Sequence, residues 1–597
     1  MNRTAQKRAL VTCFALAGCF SLFSFRLIEL QVTKHDEYAT LAAQNHVTRQ
    51  TIPARRGLIQ DIHGESLAQN EPIRTVVADA TLLGDRAAAA DLLSTALGIP
   101  HPQVMEKLNR EVYSQALKKN VPSPYIVLKK EVPESVASDL ETQLAEHKLR
   151  GVYFEPSATR IYPNEQMLCH VLGYVNGQNV GMDGVERTME QFLRGHDGFR
   201  YSERDRTGKE IVPYRGQEKD AHNGCNVRLT IDMGLQNIVE MELDAAIKQF
   251  HPKSATVILM QPKTGEILAL ANRPNFNLNV QEGVPEDHRR NRAITDGIEP
   301  GSTFKIVTTA AALTEKVVHA GTMINCENGY FASMKLHDHH PYPDLSVHDI
   351  LVKSSNIGAA KLAIQLGDQR FFDYVRRFGF GDRTGVDLPG EIGGTVHPLH
   401  MWSKFSISRI PMGQEVQVTP LQITTAMCAI ANGGHLMMPQ IIHEISDDQG
   451  RTISRFPPQE VRIVASKSAT DAVRDALVDV VSPKGTAALA HVVGFKVAGK
   501  TGTAQKYDEK THLPSHERYT VSFVGFMPAE DPAFVCLVLI DEAQVAHDKN
   551  YGGMVSAPVF SRIAEKAARY LGLKASVEEP AGSVVAGRNV HMDVSDQ

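Results

Sequence analysis

The sequence is short of the features that mark several large protein classes. It holds one tryptophan, Trp402, so no row of indole rings is available for stacking on bases. Lys and Arg number 63 against 68 Asp and Glu, a formal net charge of -5, which argues against a general nucleic-acid binder. The seven cysteines (13, 19, 169, 225, 326, 428 and 536) are scattered, with no Cys-x-x-Cys pair. Zinc ribbons, a thioredoxin-type site and a dense disulfide framework are thereby set aside, and one or two disulfides stay open. No fixed-period repeat is visible. His337-Asp338-His339-His340 could seed a metal site, but four adjacent residues cannot all converge on one ion, so a solvated loop is the reading. No metal and no cofactor is expected.

What is present describes a folded chain of two to four domains, with 42% hydrophobic and 22% charged residues. Arg3, Lys7 and Arg8 precede the uncharged run Ala9–Phe25, which Leu27, Ile28 and Leu30 extend to the length of a membrane-spanning helix. Positive residues before the span and a large domain after it place the rest outside the cytoplasm. Leu16-Ala17-Gly18-Cys19 also has the form of a lipoprotein cleavage site, and an ordinary cleaved signal is a third reading. Apolar residues continue past Cys19, as an uncleaved anchor requires. All three readings leave the bulk of the chain outside.

The expected organisation is a cytoplasmic tail over 1–8, an anchor over 9–30, a mixed pedestal over 31–222, a larger domain over 223–572 and a flexible tail over 573–597. In the pedestal, Arg55 to Ala68 reads as strand, tight turn at His63-Gly64, strand. Residues 86–150 read as mostly helical, broken at Pro100–Pro102 and Pro122–Pro124, and a further helix is expected over 186–194. The larger domain opens with strand 227–231, helix 233–250 and strands 255–261 and 267–272. Strands return at 497–507, 518–527 and 533–541, before a final helix over 557–571. A sheet built from both ends of a segment, with helices inserted between, is an α+β arrangement.

Three stretches carry chemistry. Gly297 to Lys305 runs through a Pro300-Gly301 break into a helix over 302–316, whose first turn holds Ser302 with Lys305 on the same face. A serine hydroxyl needs a base, and a lysine serves only if burial or a second cation keeps its amine neutral. Ser354-Ser355-Asn356 can point a hydroxyl and an amide into one cleft, although alone it reads as a helix cap. Val497 to Gln505 alternates like an edge strand, in which Lys500 supplies a positive charge and Thr501 and Thr503 bind a carboxylate. Gly494 to Thr501 also fits the phosphate-binding pattern G-x-x-x-x-G-K-[ST]. That reading needs a helix to follow, whereas Gly502-Thr503-Ala504-Gln505 continues as strand and 506–513 is a polar loop.

S-x-x-K, S-x-N and K-T-G in this order resemble the motifs of penicillin-binding proteins and related β-lactamases. Thr230-Ile231-Asp232, Glu299-Pro300-Gly301, Gly413-Gln414, Val418 to Gln422 and Gly485-Thr486-Ala487 are similar to the flanks of their transpeptidase domain. Arg55-Arg56-Gly57 with Asp61, Arg160 with Tyr162-Pro163, and Gly181 to Glu186 resemble the amino-terminal module of the class B members, covering roughly residues 25–565 in all. Ile62-His63 departs from that module's usual pattern. The resemblance implies the penicillin-binding transpeptidase fold, an antiparallel sheet flanked by helices, on an elongated α/β pedestal with one transmembrane helix in the bacterial inner membrane.

By the same resemblance Ser302 is the nucleophile, Lys305 its base, Ser354 a proton relay, and Asn356 a peptide holder. Lys500, Thr501, Gly502 and Thr503 bind the substrate carboxylate, and the amides of Ser302 and Thr503 form the oxyanion hole. The implied activity is D,D-transpeptidation of peptidoglycan stem peptides, with acylation by β-lactams. The implied partners are a membrane glycosyltransferase of the shape and division family and other division proteins. Val76 to Asp79, Tyr551-Gly552-Gly553 and Ala557 to Phe560 look most like the septal type. An elongation-type enzyme, a β-lactamase or antibiotic sensor, and a non-catalytic division scaffold are the alternatives.

Overall fold

A computed structural model of the chain describes residues 3–36, 38, 47–114, 118–203, 218–507 and 514–577. The expected tail beyond residue 577 and residues 37, 39–46, 115–117 and 204–217 of the expected pedestal lie outside these. The N-terminal helix Arg3–Ile28 continues as a wider helical turn, Glu29–Thr33, and its apolar side chains are exposed along their length. It is long and apolar enough to cross a membrane.

The chain divides into two compact units. One comprises residues 1–55, 72–158 and 195–223; the other comprises 56–71, 159–194 and 224–597. Residues 56–71 and 159–194, read from the sequence as pedestal, therefore pack with the residues from 224 onwards.

In the first unit, helices Arg86–Leu97, His101–Leu108 and Glu134–Glu146 surround a core that includes Val76, Leu93, Leu108, Ile126 and Leu140. Asp85 caps the first helix through the Ala87 and Ala88 amides, and Gly98 ends it at a φ of 64°. The mostly helical reading of 86–150 needs correction between the second and third helices. Glu111–Ser114, Lys119–Pro122 and Ile126–Pro133 are strands. Val-Tyr, Val-Pro and Ile-Val-Leu favour extended backbone, and Val127 finds a ladder partner in Val77.

The second unit is built on a five-stranded antiparallel sheet in the order Ile267–Arg273, Ser254–Met260, Phe534–Asp541, Pro514–Met527, Ala498–Tyr507. Strands from the two ends of the segment thus share one sheet, as the sequence implied. Ser254–Met260 is buried at every position and reads SATVILM, an apolar run without alternation, because both faces are covered. Met233–Phe250 and Gly552–Tyr570 pack on one side; Pro420–Ala431, buried almost all round, packs against the middle strands. The last helix begins at Gly552 rather than 557, and Pro558 is accommodated within it. The helix expected over 186–194 is two short ones, Gly184–Thr188 and Glu190–Leu193. All seven cysteines are free.

A charged cluster ties residues 56–71 and 159–194 together. Glu186 is fully buried and accepts from Arg56 Nε at 2.6 Å and from Arg160 Nε at 2.7 Å. Arg56 also reaches Glu190 at 2.7 Å, and Arg160 donates to the Gly57 carbonyl at 2.8 Å. Gly57 has no room for a side chain: a Cβ there would stand 1.8 Å from the Cys225 oxygen. Glu186 thus bridges two desolvated guanidinium groups, and Glu190 supplies the second carboxylate. Removing Glu186 leaves the buried Arg160 without a carboxylate, at a cost of about 3–5 kcal/mol. Glu186→Ala should therefore lower the thermal midpoint of the detergent-solubilised protein by several degrees; an unchanged midpoint would show that the cluster carries no stability.

Candidate active site

Ser302 does not sit in the α-helix as the sequence suggested. Gly301–Phe304 forms a tighter 3-10 turn, and the α-helix Lys305–Thr314 starts after it. Gly301, at a φ of 56°, makes this turn possible without strain. It also allows backbone-to-backbone contact: a Cβ on Gly413 would stand 2.3 Å from the Gly301 oxygen, and one on Gly502 2.9 Å from the Pro300 oxygen. The Gly413-Gln414 flank and the Lys-Thr-Gly strand thereby clamp the serine turn from both sides.

Lys305 is completely buried, and its Nζ lies 3.0 Å from Ser302 Oγ. It also lies 2.6 Å from the Ser354 carbonyl, 2.7 Å from Asn356 Oδ1 and 3.2 Å from Ser354 Oγ. Lys500, equally buried, donates to Ser354 Oγ at 3.0 Å and reaches Thr501 Oγ1 at 3.4 Å. Burial, and then the charge of Lys500, hold the Lys305 amine well below the ordinary lysine range. Burial brings Lys500 down to about 7. A neutral Lys305 has two N–H bonds and a lone pair. The carbonyl and the amide oxygen can only accept, so they take the two N–H bonds, and the lone pair is left for the Ser302 hydroxyl. The arrangement can take a proton from Ser302.

Ser354 adopts a φ of 58°, left-handed for a residue with a side chain. Asp338 organises this turn. Its carboxylate accepts from Ser355 Oγ at 2.6 Å and from the Asn356 and Ile357 amides at 2.5 and 3.0 Å, at the start of the helix Asn356–Leu366. Asn356 Nδ2 donates to the His337 carbonyl at 3.0 Å. The histidine-rich stretch, read as a solvated loop, is thus a brace for the site. Sequence reasoning missed Asp338 because no spacing rule joins it to a motif more than fifteen residues away. Among the described residues no cluster of His, Cys, Asp or Glu could hold a metal ion.

Thr501 Oγ1 is 3.2 Å from Thr486 Oγ1, and Thr503 Oγ1 accepts from the Gly552 amide at 3.4 Å. Ala498–Tyr507 is the edge of the sheet, with Pro514–Met527 on its inner side. Ser302, Lys305, Ser354, Asn356 and Lys500 are joined by direct hydrogen bonds. Thr501 attaches through Lys500, and Gly502 and Thr503 lie by backbone contact against Pro300 and Gly301. The structure brings all eight residues named from the sequence into one connected cluster.

The family model of the penicillin-binding protein transpeptidase domain matches residues 255–565, and that of the penicillin-binding protein dimerisation domain matches residues 51–229. The chain belongs to the class B penicillin-binding proteins. It is 31% identical to stage V sporulation protein D of Bacillus subtilis, over 96% of this chain and 87% of that protein. It is also 31% identical to the peptidoglycan D,D-transpeptidase FtsI of Escherichia coli K12, over 92% and 89%. Penicillin binding protein 2X from Streptococcus thermophilus superposes with a TM-score of 0.73 at 25% identity, covering 87% of this chain and 80% of that one. This penicillin-binding protein is a penicillin-binding transpeptidase by family. Its single apolar N-terminal helix fits a single-pass anchor.

Two outcomes follow from this geometry. Asp338→Ala releases the Ser354 turn and should slow acylation of the penicillin-binding protein by up to about 10²-fold, since small misplacements of reacting groups cost that much. Stopped-flow labelling measures it, and an unchanged rate would remove Asp338 from the machinery. Lys500 keeps its charge below about 7 and loses it as pH rises through that value. The affinity of the free site for a small carboxylate should therefore fall toward tenfold per unit above it. Inhibition titrations across this range check the sign.

Proposed function

We propose that this protein is a membrane-anchored serine D,D-transpeptidase that cross-links peptidoglycan stem peptides through an acyl-enzyme on Ser302. The observation that carries the proposal is the buried Lys305 amine, held well below the ordinary lysine range, 3.0 Å from the Ser302 hydroxyl. Ser302 Oγ attacks the carbonyl carbon of the penultimate D-alanine while Lys305 takes its proton. The oxyanion is received by the Ser302 and Thr503 amides, donors whose individual loss elsewhere costs about 10²–10³ in rate. Ser354, in contact with both lysines, passes the proton to the departing D-alanine nitrogen. Lys500, Thr501 and Thr503 hold the terminal carboxylate. Asn356 uses one N–H and one lone pair within the protein, which leaves one of each for the acyl peptide.

The amine of a second stem peptide then attacks the ester carbonyl. Its proton goes to Lys305 and on to Ser302 Oγ as the ester C–O bond breaks and the new amide bond forms. A β-lactam acylates Ser302 in the same way. The positive residues ahead of the anchor support a catalytic domain outside the cytoplasmic membrane. The catalytic unit takes in residues 56–71 and 159–194 besides those from 224 onwards. The likeness of Val76 to Asp79 and of Tyr551-Gly552-Gly553 to the septal type supports a place in division, beside a membrane glycosyltransferase. Fluorescent penicillin should label the full-length protein, and Ser302→Ala should abolish the label. Labelling that survives this substitution refutes the assigned nucleophile.

A further inference from the structure

Beyond the serine lies a cavity of about 350 Å³ that the chemistry above does not use. Its floor is one cross-strand row of the sheet, Ala504, Thr520, Asp541 and Ser254, paired in that order. Its wall is the segment that leads into the nucleophile, from Asp296 to Glu299. Side chains on a strand alternate between faces, so Ala504 and Lys506 share the face of Lys500, further along the same edge strand. The cavity is therefore next to the catalytic cleft, past the point where Pro300 and Gly301 cross the strand.

Most of its charges are satisfied within the protein. Arg290 and Arg292 pair with Asp296 at 2.5 and 3.0 Å. Lys506 pairs with Asp541 at 3.0 Å and with Glu542 at 2.6 Å. Glu299 differs: its carboxylate accepts only the Glu415 amide, at 3.2 Å, and no lysine or arginine among the described residues pairs with it. Burial and the nearby Glu415 charge raise its carboxyl above the usual range. It is the acid in this cavity that lacks a cation.

The register of the donor peptide says what reaches it. With the terminal carboxylate at Lys500 and Thr501 and the scissile carbonyl at the Thr503 amide, the peptide runs antiparallel along the free edge. A strand advances about 3.4 Å per residue, so the residue before the scissile D-alanine stands beside Ala504 to Lys506, over the cavity mouth. We propose that this cavity receives the side chain of the third stem-peptide residue, and that Glu299 binds its terminal ammonium. The ligand is a diamino acid, lysine or diaminopimelate, whose distal amine supplies the missing cation. This rests on the transpeptidase reading above and adds to it a residue that selects the donor.

The test uses the full-length protein in detergent with four synthetic pentapeptides ending in D-Ala-D-Ala. Their third residue is diaminopimelate, lysine, Nε-acetyl-lysine or norleucine, and acylation of Ser302 is followed by mass spectrometry. Either amine-bearing donor should exceed the two neutral ones by about tenfold in kcat/KM, as one partly buried charge pair provides, with the difference in KM. The order of diaminopimelate and lysine then tells which source the site was shaped for, and either order supports it. Glu299→Gln should bring the ratio of amine-bearing to neutral donor toward one. Ala504→Lys, which puts a cation on the cavity floor, should lower it as well. Equal kcat/KM for all four donors, or a preference that survives both substitutions, overturns the ammonium site and leaves the transpeptidase reading standing. Failure of all four donors to acylate Ser302 overturns the transpeptidase reading itself.

Discussion

A buried lysine without a counter-ion is costly, and this structure depends on one. Lys305 is closed off from solvent with a second cation, Lys500, linked to it through a single hydroxyl. Burial and like charge both disfavour the ammonium form, so the amine becomes a base. The two acceptors that take its N–H bonds come from the Ser354 turn, which is why that turn adopts a left-handed conformation and needs a carboxylate to hold it. The helix, the turn and the edge strand each contribute one side of the environment that keeps one proton off one nitrogen.

Much of this was legible in the chain. The three motifs name the five residues that meet, because their chemistry is local: each stretch places its side chains by helix, turn or strand period. The layer arrangement was legible as well, since runs as short and as rich in Val and Ile as SATVILM and FVCLVLID favour strands buried on both faces. Asp338 was not, because the distance that matters is through space, across a loop with no periodicity. The 3-10 turn at Ser302 was hidden for a different reason. Pro-Gly announces a helix start, and only the close approach of Gly413 and Gly502 shows why the first turn must be tight.

The less legible half is residues 86–133, where alanine-rich helices sit beside short strands with weak patterning. Pairing with Ser66–Ala78 decided the outcome for Ile126–Pro133, a ladder partner far along the chain that leaves no local trace, while Glu111–Ser114 and Lys119–Pro122 pair with each other. The Arg56–Glu186–Arg160 cluster is similar. Each residue is ordinary in sequence, and the desolvation that makes the three interdependent comes only with the fold.

The contact of bare backbone at Gly301, Gly413 and Gly502 has a consequence for how such a site can change. With no side chain between the three segments, there is nothing there to shorten, lengthen or soften, and the serine turn is held by backbone contact. Adaptation to a new acylating agent has to be made at the rim, in stretches such as 337–340 whose side chains can be exchanged while their backbone goes on bracing the turn. The centre is thus closed to drift by its own lack of atoms, and the freedom to evolve is pushed outward.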